Sequence, residues 1–249
     1  DSIITWQWQT QYWFSVATAG NGNVDQSNQW TDAGSVLNVE ALPSNGHHFV
    51  AWSGTVVSIE NPLHVTMDQP QSVQANFAIN TYSITATARV NGAISPEGVV
   101  TVEHGSNRDF AITPAAHYHV ADVLVNGASV GAVSAYTFTN VTSDGQTIEA
   151  IFDIDEHELV TVSAHDGAAP EEGTNRYSYG TEVTCTVTNS PLADGVDTRY
   201  LCTGWTGEGS VPLSGSETNV TLTLTNDSSI TWQWQTQYWF SVATMGNGN

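Results

Sequence analysis

Alternation of apolar and polar side chains runs along much of this chain and predicts β-strands. Between Ile4 and Val16 the apolar residues keep a single parity, and the intervening positions are mostly glutamine, threonine and serine. The same register recurs from Ile230 to Val242. A period of two residues places alternate side chains on opposite faces of a pleated strand. No comparable stretch keeps helical periodicity, so the sequence indicates an all-β protein.

The two ends of the chain carry nearly the same sequence. Residues 1–23 and 227–249 differ only at positions 3/229 and 19/245. The sequence therefore returns on itself after 226 residues, because Asp1 recurs as Asp227. A fixed period of this kind is typical of repeat architectures. We expect the chain to hold one full period and an overlap, within a longer protein that contains several periods.

A weaker repeat lies inside this period. Three alternating strands close on an aromatic residue, at Phe77, Phe152 and Trp234. Each closing strand follows a strand that begins with glycine and a middle strand. Asn-Gly and Asp-Gly pairs, which favour tight turns, separate the strands. The pattern predicts three tandem small antiparallel β domains.

The same spacing predicts the domain boundaries. We expect the closing strand of a preceding repeat at 1–10, three repeats at 11–80, 81–154 and 155–236, and the opening strand of a next repeat at 237–249. Only Thr10 and Thr236 interrupt the apolar phase at the period boundary, so strands are expected to continue across the junctions. An unpaired first strand would seek a partner in another copy, which predicts end-to-end association into a filament or a continuous shaft.

Several motifs resemble a known family. They include Gly46-His-His-Phe49-Val-Ala-Trp52, Asn61-Pro62 and Val73-Gln-Ala-Asn-Phe77. This series resembles the divergent internalin-type B-repeat family, and residues 82–152 resemble a related bacterial cell-surface repeat. The third repeat, with Cys202-Thr-Gly-Trp-Thr-Gly207, is similar to modules of very large secreted bacterial proteins. The resemblance implies β-grasp-like or small sandwich units that serve as spacers, stalks or adhesin shafts, without shared catalytic residues.

The charge balance excludes several classes of partner. The chain has four arginines, no lysine and 25 acidic residues, which give a formal net charge of −21. Phosphate backbones and anionic lipids repel such a surface, so we expect binding neither to nucleic acid nor to a membrane surface. No apolar run approaches the roughly 20 residues that a membrane span requires, so we expect no direct insertion of this segment.

The two cysteines, Cys185 and Cys202, occupy positions that hold core hydrophobic residues in the other repeats. The aligned residues are Val39 and Phe110 for the first cysteine, and Phe49 and Val120 for the second. The alignment leaves two buried free thiols as the alternative to a disulfide. Export favours the disulfide, and the short loop it closes would make it worth about 3 kcal/mol in the chain-entropy picture.

The densest acidic run is a candidate calcium site. Its carboxylates are Asp153, Asp155, Glu156 and Glu158, between the second and third repeats. Hard oxygen ligands suit Ca²⁺, and a cation at this place would stiffen the joint. The alternative is a solvated linker, which is the usual meaning of a charge run.

Three tryptophans are candidates for ligand binding. Trp13, Trp30 and Trp239 break the inward-facing apolar pattern, whereas most other tryptophans follow it. Exposed aromatic rings can stack on sugars, so these residues are candidate contacts for a glycan. The alternative is that they serve as packing anchors.

The sequence as a whole favours a structural role. It has no serine elbow, HExxH motif or phosphate loop, so we expect no enzyme activity. We predict a repeat segment of a large secreted or cell-surface protein, forming a stiff extracellular shaft or filament with no required cofactor. Its partners would be copies of itself, end to end. The alternative is a set of adhesin repeats that bind glycans or a host protein.

Overall fold

A computed structural model describes residues 1–242, and within this range the chain consists of strands, turns and loops with no helix. The predicted all-β class is confirmed. Because the described part lacks helices, it also lacks any helix long and apolar enough to cross a bilayer. The strands fall into three consecutive segments, which we call the first (11–80), second (81–154) and third (155–238) segments.

The first segment contains eight strands. They are β1 (Gln11–Ala19), β2 (Gly22–Val24), β3 (Gln29–Asp32), β4 (Val36–Val39), β5 (Ala41–Pro43), β6 (His47–Gly54), β7 (Leu63–Thr66) and β8 (Gln71–Ile79). The second segment also contains eight. They are β9 (Thr81–Ala88), β10 (Gly92–Ser95), β11 (Gly98–Glu103), β12 (Arg108–Pro114), β13 (Tyr118–Val125), β14 (Ala128–Ser129), β15 (Ala135–Phe138) and β16 (Gln146–Ile154).

The third segment contains nine strands. They are β17 (Glu156–Val162), β18 (Ala168–Ala169), β19 (Gly173–Ser178), β20 (Glu182–Val187), β21 (Leu192–Asp194), β22 (Thr198–Glu208), β23 (Ser214–Gly215), β24 (Asn219–Thr223) and β25 (Ser228–Tyr238).

Each segment has one larger sheet with the same strand order. The orders are β3-β1-β8-β6, β11-β9-β16-β13-β14 and β19-β17-β25-β22-β21, with β23 also pairing with β22. Smaller sheets complete the segments: β4-β7 and β2-β5 in the first, β10-β12-β15 in the second and β18-β20-β24 in the third. The opening strand therefore pairs with the closing strand at the centre of every larger sheet.

This central pair differs from the predicted antiparallel arrangement, because its two strands run parallel. The pairing begins at Phe14–Gln71 in the first segment, Ile84–Gln146 in the second and Leu159–Ser228 in the third. The register is the same in all three, counted from the start of the opening strand. Parallel neighbours cannot be joined by a tight turn, so the remaining strands of each segment form the long connection between them.

The core follows from the two-residue alternation. Along the closing strands the alternate apolar residues are buried and their polar neighbours face outward. These buried residues are Val73, Ala75 and Phe77 in the first segment, Ile148, Ala150 and Phe152 in the second, and Ile230 and Trp232 in the third. Trp52 and Trp205, on the middle strands, are also buried, as is Val123 on the middle strand of the second segment.

The chain divides into two compact units. The first comprises Asp1–Thr113 and Val120–Ile151, and the second comprises Pro114–His119 and the residues from Phe152 onward. The predicted division into three domains stays a prediction.

Candidate functional site

The two copies of the near-identical end sequence lie in different environments. Residues 4–9 form no strand and are exposed, whereas the identical residues 230–235 lie in β25. The reverse holds for the following residues, since Phe14 in β1 is fully buried and its counterpart Phe240 is 85% exposed. The strand expected at 1–10 is therefore absent, because no sheet is present for it to join. Of the predicted opening strand at 237–249, residues 237 and 238 belong to β25, and residues 243–249 lie outside the described part.

Single residues separate the closing and opening strands at the internal junctions. Asn80 lies between β8 and β9, where its N–H donates to the carbonyl of Gly46 and its own carbonyl accepts from the N–H of His104, both at 2.8 Å. His48 Nδ1 lies 2.9 Å from the side-chain Oδ1 of Asn80. The ring of His104 covers Gly46 so closely that a β-carbon there would overlap it. Main-chain and side-chain contacts thus hold the junction residue from both sides.

Asp155 occupies the equivalent place between β16 and β17, within the second unit. Its N–H donates to the carbonyl of His117 at 2.9 Å, and its carbonyl accepts from the N–H of Tyr179 at 2.7 Å. His119 Nδ1 lies 3.1 Å from Asp155 Oδ1, as His48 lies beside Asn80. The His117 and Tyr179 rings stack with centroids 3.6 Å apart.

Asn80 was not predicted from the sequence as a contact residue, and Asp155 was predicted only as a calcium ligand. A signal was present, since each lies three residues after the closing aromatic, at Phe77 and Phe152. Each also pairs with a histidine at the second position of its middle strand, and these histidines belong to the short stretches His47-His48 and His117-Tyr-His119. An Asn or Asp at a recurrent strand end, combined with a recurrent histidine, would have indicated a shared contact.

The structure does not bring the predicted calcium ligands together. Asp155 contacts His119, and Glu158 forms an ion pair with Arg176 at 2.7 Å. Asp153 lies on β16, and Glu156 faces Ser178 on the neighbouring strand. Within residues 1–242 no group of three or more histidine, cysteine or acidic side chains is arranged to hold a metal ion.

A small cavity of about 150 Å³ lies beside part of this acidic run. It is lined by Glu156, His157, Glu158, Arg176 and Asp227. The pKa of Asp227 is lowered, chiefly because its carboxylate accepts a hydrogen bond from the backbone N–H of Glu158. Two of these carboxylates, Glu158 and Asp227, are engaged by neighbouring donors, which fits the solvated-linker alternative.

The predicted disulfide between Cys185 and Cys202 is wrong, because both residues are free and buried in the structure. They contribute to the same core, as the aligned positions predict. They lie in different sheets, however, with Cys185 opposite Val220 on β24 and Cys202 opposite Trp234 on β25. Sheets that face each other across a core lie about 10 Å apart, whereas a disulfide requires Cα atoms within about 7 Å.

The two thiols sit in apolar surroundings. Burial raises the pKa of the Cys185 thiol from its ordinary 9.0 to about 11. The Cys202 thiol lies 3.6 Å from the carbonyl oxygen of Gly204, to which it donates. A thiol that stays protonated is a weak nucleophile, so neither the position nor the chemistry indicates a reactive cysteine.

Two of the predicted ligand-binding tryptophans lie side by side. Trp13 on β1 pairs directly with Trp30 on β3, and their ring centroids are 5.4 Å apart with the planes inclined at 64°. Trp13 is 39% exposed and Trp30 is 63% exposed. In the adjacent row of the same face, the Gln11 amide donates to Asp32 Oδ1 at 2.8 Å. We call Trp13, Trp30, Gln11 and Asp32 the tryptophan face.

Trp239, the third candidate, lies just beyond β25 and apart from this pair in sequence. It is exposed and lines a cavity of about 540 Å³ together with Tyr238, Arg199 and the loop around Val196. Its N–H donates to the carbonyl of Asp197 at 2.8 Å. Trp239 repeats Trp13 but follows the last residue of β25. It is exposed because residues 239–242 form no strand.

Comparison with known proteins identifies one family. A model described as "Divergent InlB B-repeat domain" matches residues 12–81 and 158–237. The two matches cover most of the first and third segments, and the second segment shares their strand order without being matched. A search of curated proteins gives no match. Among solved structures, the I9–I11 tandem from titin is 9% identical, with 90% of this chain and 97% of that chain covered, but the TM-score of 0.15 establishes no common fold.

Proposed function

Because the chain belongs to the divergent InlB B-repeat domain family, we propose that it is a load-bearing repeat segment that forms a stiff extracellular shaft. The family relation makes it a repeat segment of the surface-protein type. The shaft role rests on one observation about the two copies of the end sequence. Residues 230–235 and Phe14 lie in sheets, whereas the matching residues 4–9 and Phe240 form no strand and are exposed.

The strand boundaries support a continuous joint between periods. β25 ends at Tyr238, which repeats Tyr12, and β1 begins at Gln11. The two strands therefore overlap by two residues when one period is placed after another. A single strand equivalent to 228–245 would close one sheet and open the next. A flexible linker would instead be rich in glycine, serine or proline and would keep no phase.

The internal junctions follow the same principle. One residue separates β8 from β9 and one separates β16 from β17, and both junction residues are hydrogen-bonded on either side. Thr10 makes an equivalent hydrogen bond immediately before β1, where its carbonyl accepts from the N–H of Ala33 at 2.9 Å. Such contacts reduce the freedom of the backbone at the places where a hinge would otherwise lie.

A covalent array is favoured over a filament of separate copies. For one copy to lend residues 237–242 to the first sheet of another, that sheet must release its own residues 11–16, which have the same sequence. The number of paired strand residues is then unchanged, whereas association loses translational and rotational freedom. In a covalent array no such competition arises, because one strand serves both sheets.

The shaft role includes no catalytic step. The chain's exposed acidic groups and absence of lysine suit a soluble surface that stays apart from anionic lipids and polymers. Extracellular placement agrees with the family relation. The shaft does not require a disulfide, because its small cores consist of packed apolar residues, and the core of the third segment also contains the two thiols.

Distance measurements by pulsed electron spin resonance in a two-period chain test the stiff joint. With one spin label at an exposed site in each period, we expect a narrow distribution of distances, because a continuous strand fixes one period relative to the next. The matched control carries Gly-Gly-Ser-Gly between Thr236 and Gln237 of the internal copy, and it should broaden the distribution because such a linker is flexible. Equally broad distributions with and without the insertion would show that periods are joined flexibly and would refute the shaft.

A further inference from the structure

We propose that the tryptophan face binds the arginine side chains of a basic protein segment. This binding role is additional to the shaft, and only the gain from repeated copies rests on the proposed array. Trp13 and Trp30 are exposed neighbours on the outer face of the first larger sheet, opposite the side on which Phe14 is buried. The two indole rings therefore do not contribute to the core of the first segment.

The fold does not require tryptophans at these two positions. The same cross-strand position holds Ser83 and Thr101 in the second segment, where the strand order is unchanged. In the third segment it holds Glu158 and Arg176, which form an ion pair. Polar and charged pairs thus occupy this position in the same strand order, and the tryptophan pair is particular to the first segment.

The geometry of the rings favours a compact cation over a sugar. A pyranose stacks one broad face on an aromatic ring, and the 64° inclination prevents both indole rings from lying against the same sugar face. A cation is attracted to the face of a single ring within about 6 Å of its centroid, so the inclination of the second ring does not exclude it. Trp13 and Trp30 are both exposed, with centroids 5.4 Å apart, so a compact cation on one ring also lies close to the other.

The surrounding charge selects the same class of ligand. Residues 1–88 contain no lysine or arginine and six acidic residues, and Asp32 lies on the same face two residues from Trp30. A guanidinium group can stack on an aromatic ring while it donates to a carboxylate, which a point-like ammonium does less well. The tryptophan face offers both an aromatic pair and a carboxylate, in a segment without lysine or arginine.

Repetition would strengthen a weak contact. One arginine at an exposed aromatic pair binds weakly by itself. Trp13 recurs as Trp239, so an array of periods carries the pair at intervals of 226 residues. A basic partner with several arginines could engage several copies, and linked contacts raise the overall affinity without any new interaction.

The test uses a peptide with four arginines separated by glycines, and the same peptide with citrulline in place of arginine. Citrulline keeps the shape and loses the charge. Binding is followed through the indole N–H resonances of Trp13 and Trp30, assigned with single variants, and by calorimetry. We expect the arginine peptide to shift both resonances and the citrulline peptide to leave them in place.

The matched variant combines Trp13→Ser with Trp30→Thr, the residues that the second segment carries. It leaves the net charge unchanged, so long-range attraction of the peptide is retained. We expect binding about fivefold to thirtyfold weaker than in the wild type. Asp32→Asn provides a second variant that leaves both rings in place, and it should weaken binding as well.

Three outcomes would overturn the proposal. Equal affinity of the wild type and the double variant would mean that only the overall negative charge attracts the peptide. Equal binding of the arginine and citrulline peptides would mean that no cation is recognised. Shifts of Trp13 and Trp30 with cellohexaose, but not with the arginine peptide, would identify a glycan site instead. Thermal melting of each variant verifies that it is folded before its binding is compared.

Discussion

Trp6 and Trp232 occupy the same position in an identical stretch of sequence, yet Trp6 is 80% exposed and Trp232 is 2% exposed. Local sequence is the same for both residues, so the difference comes from the sheet that surrounds one and not the other. Trp232 lies in β25 between β17 and β22, and its ring is 5.9 Å from that of Trp205.

We expect Trp232→Ala to lower the free energy of unfolding by about 3–5 kcal/mol, because it removes a large buried ring and leaves a cavity. Trp6→Ala, its matched control, should change the stability by less than about 0.5 kcal/mol. Urea denaturation followed by circular dichroism measures both. Similar losses for the two variants would mean that residues 1–10 are packed in solution.

Both cysteines should be free in the purified protein. Alkylation in denaturant without a reductant is expected to add two labels, as measured by intact mass. The native protein should react slowly, because both thiols are buried. A product without any label would establish the disulfide after all.

The Cys185 thiol makes stability depend on pH in the alkaline range. Its pKa is about 11 in the folded protein and near 9.0 when exposed, so the unfolded chain loses this proton first. The stabilising contribution is complete below pH 9 and is lost as pH rises toward 11, in total on the order of 2–3 kcal/mol.

Cys185→Val is the control for this dependence, because Val39 occupies the aligned position in the first segment. We expect this variant to lose less stability than the wild type between pH 8.5 and 11, since other groups titrate equally in both. Parallel stability curves for the two proteins would contradict the assignment to Cys185. The measurement is denaturant unfolding at a series of pH values.

Removal of Asp1–Gln9 should leave the melting temperature almost unchanged, because these residues are exposed and form no strand. Light scattering should show a monomer for both the intact and the shortened chain, since strand exchange gains no paired residues. End-to-end chains that form with the intact protein and vanish on deletion would instead establish a filament by strand sharing.

Calcium is expected to leave the melting temperature unchanged from its value in EDTA. The side chains of Asp155 and Glu158 are already engaged by His119 and Arg176. Asp155→Asn should therefore melt alike in both buffers. A rise of several degrees with millimolar Ca²⁺ in the wild type, absent in the variant, would restore the calcium site, because binding to the native state stabilises it.

The local features of this fold, namely the strands and the face on which each side chain lies, could be predicted from the sequence. Alternation marked the strands, and alignment of the segments separated buried tryptophans such as Trp52 and Trp232 from the exposed Trp13 and Trp30. These conclusions depend only on which face of a strand a residue occupies, and a two-residue period records that directly.

Pairings across long stretches of chain were not predictable in the same way. Alignment showed that Cys185 and Cys202 both face a core, but it carries no information about which sheet each strand joins. The parallel pairing of Phe14 with Gln71 depends on a connection of more than fifty residues. The contact of Trp13 with Trp30 likewise arises from strand register, which the intervening loop and the rest of the sheet determine.

The parallel pair at the centre of each larger sheet has a mechanical consequence. Because the chain enters a segment on one of these strands and leaves it on the other, tension along the chain pulls the two neighbours in opposite directions along their length. Their hydrogen bonds are then loaded in shear and must rupture together, whereas strands peeled apart from one end lose their bonds one at a time. Each segment thereby becomes a clamp whose strength is highest in the direction in which a tether is stretched.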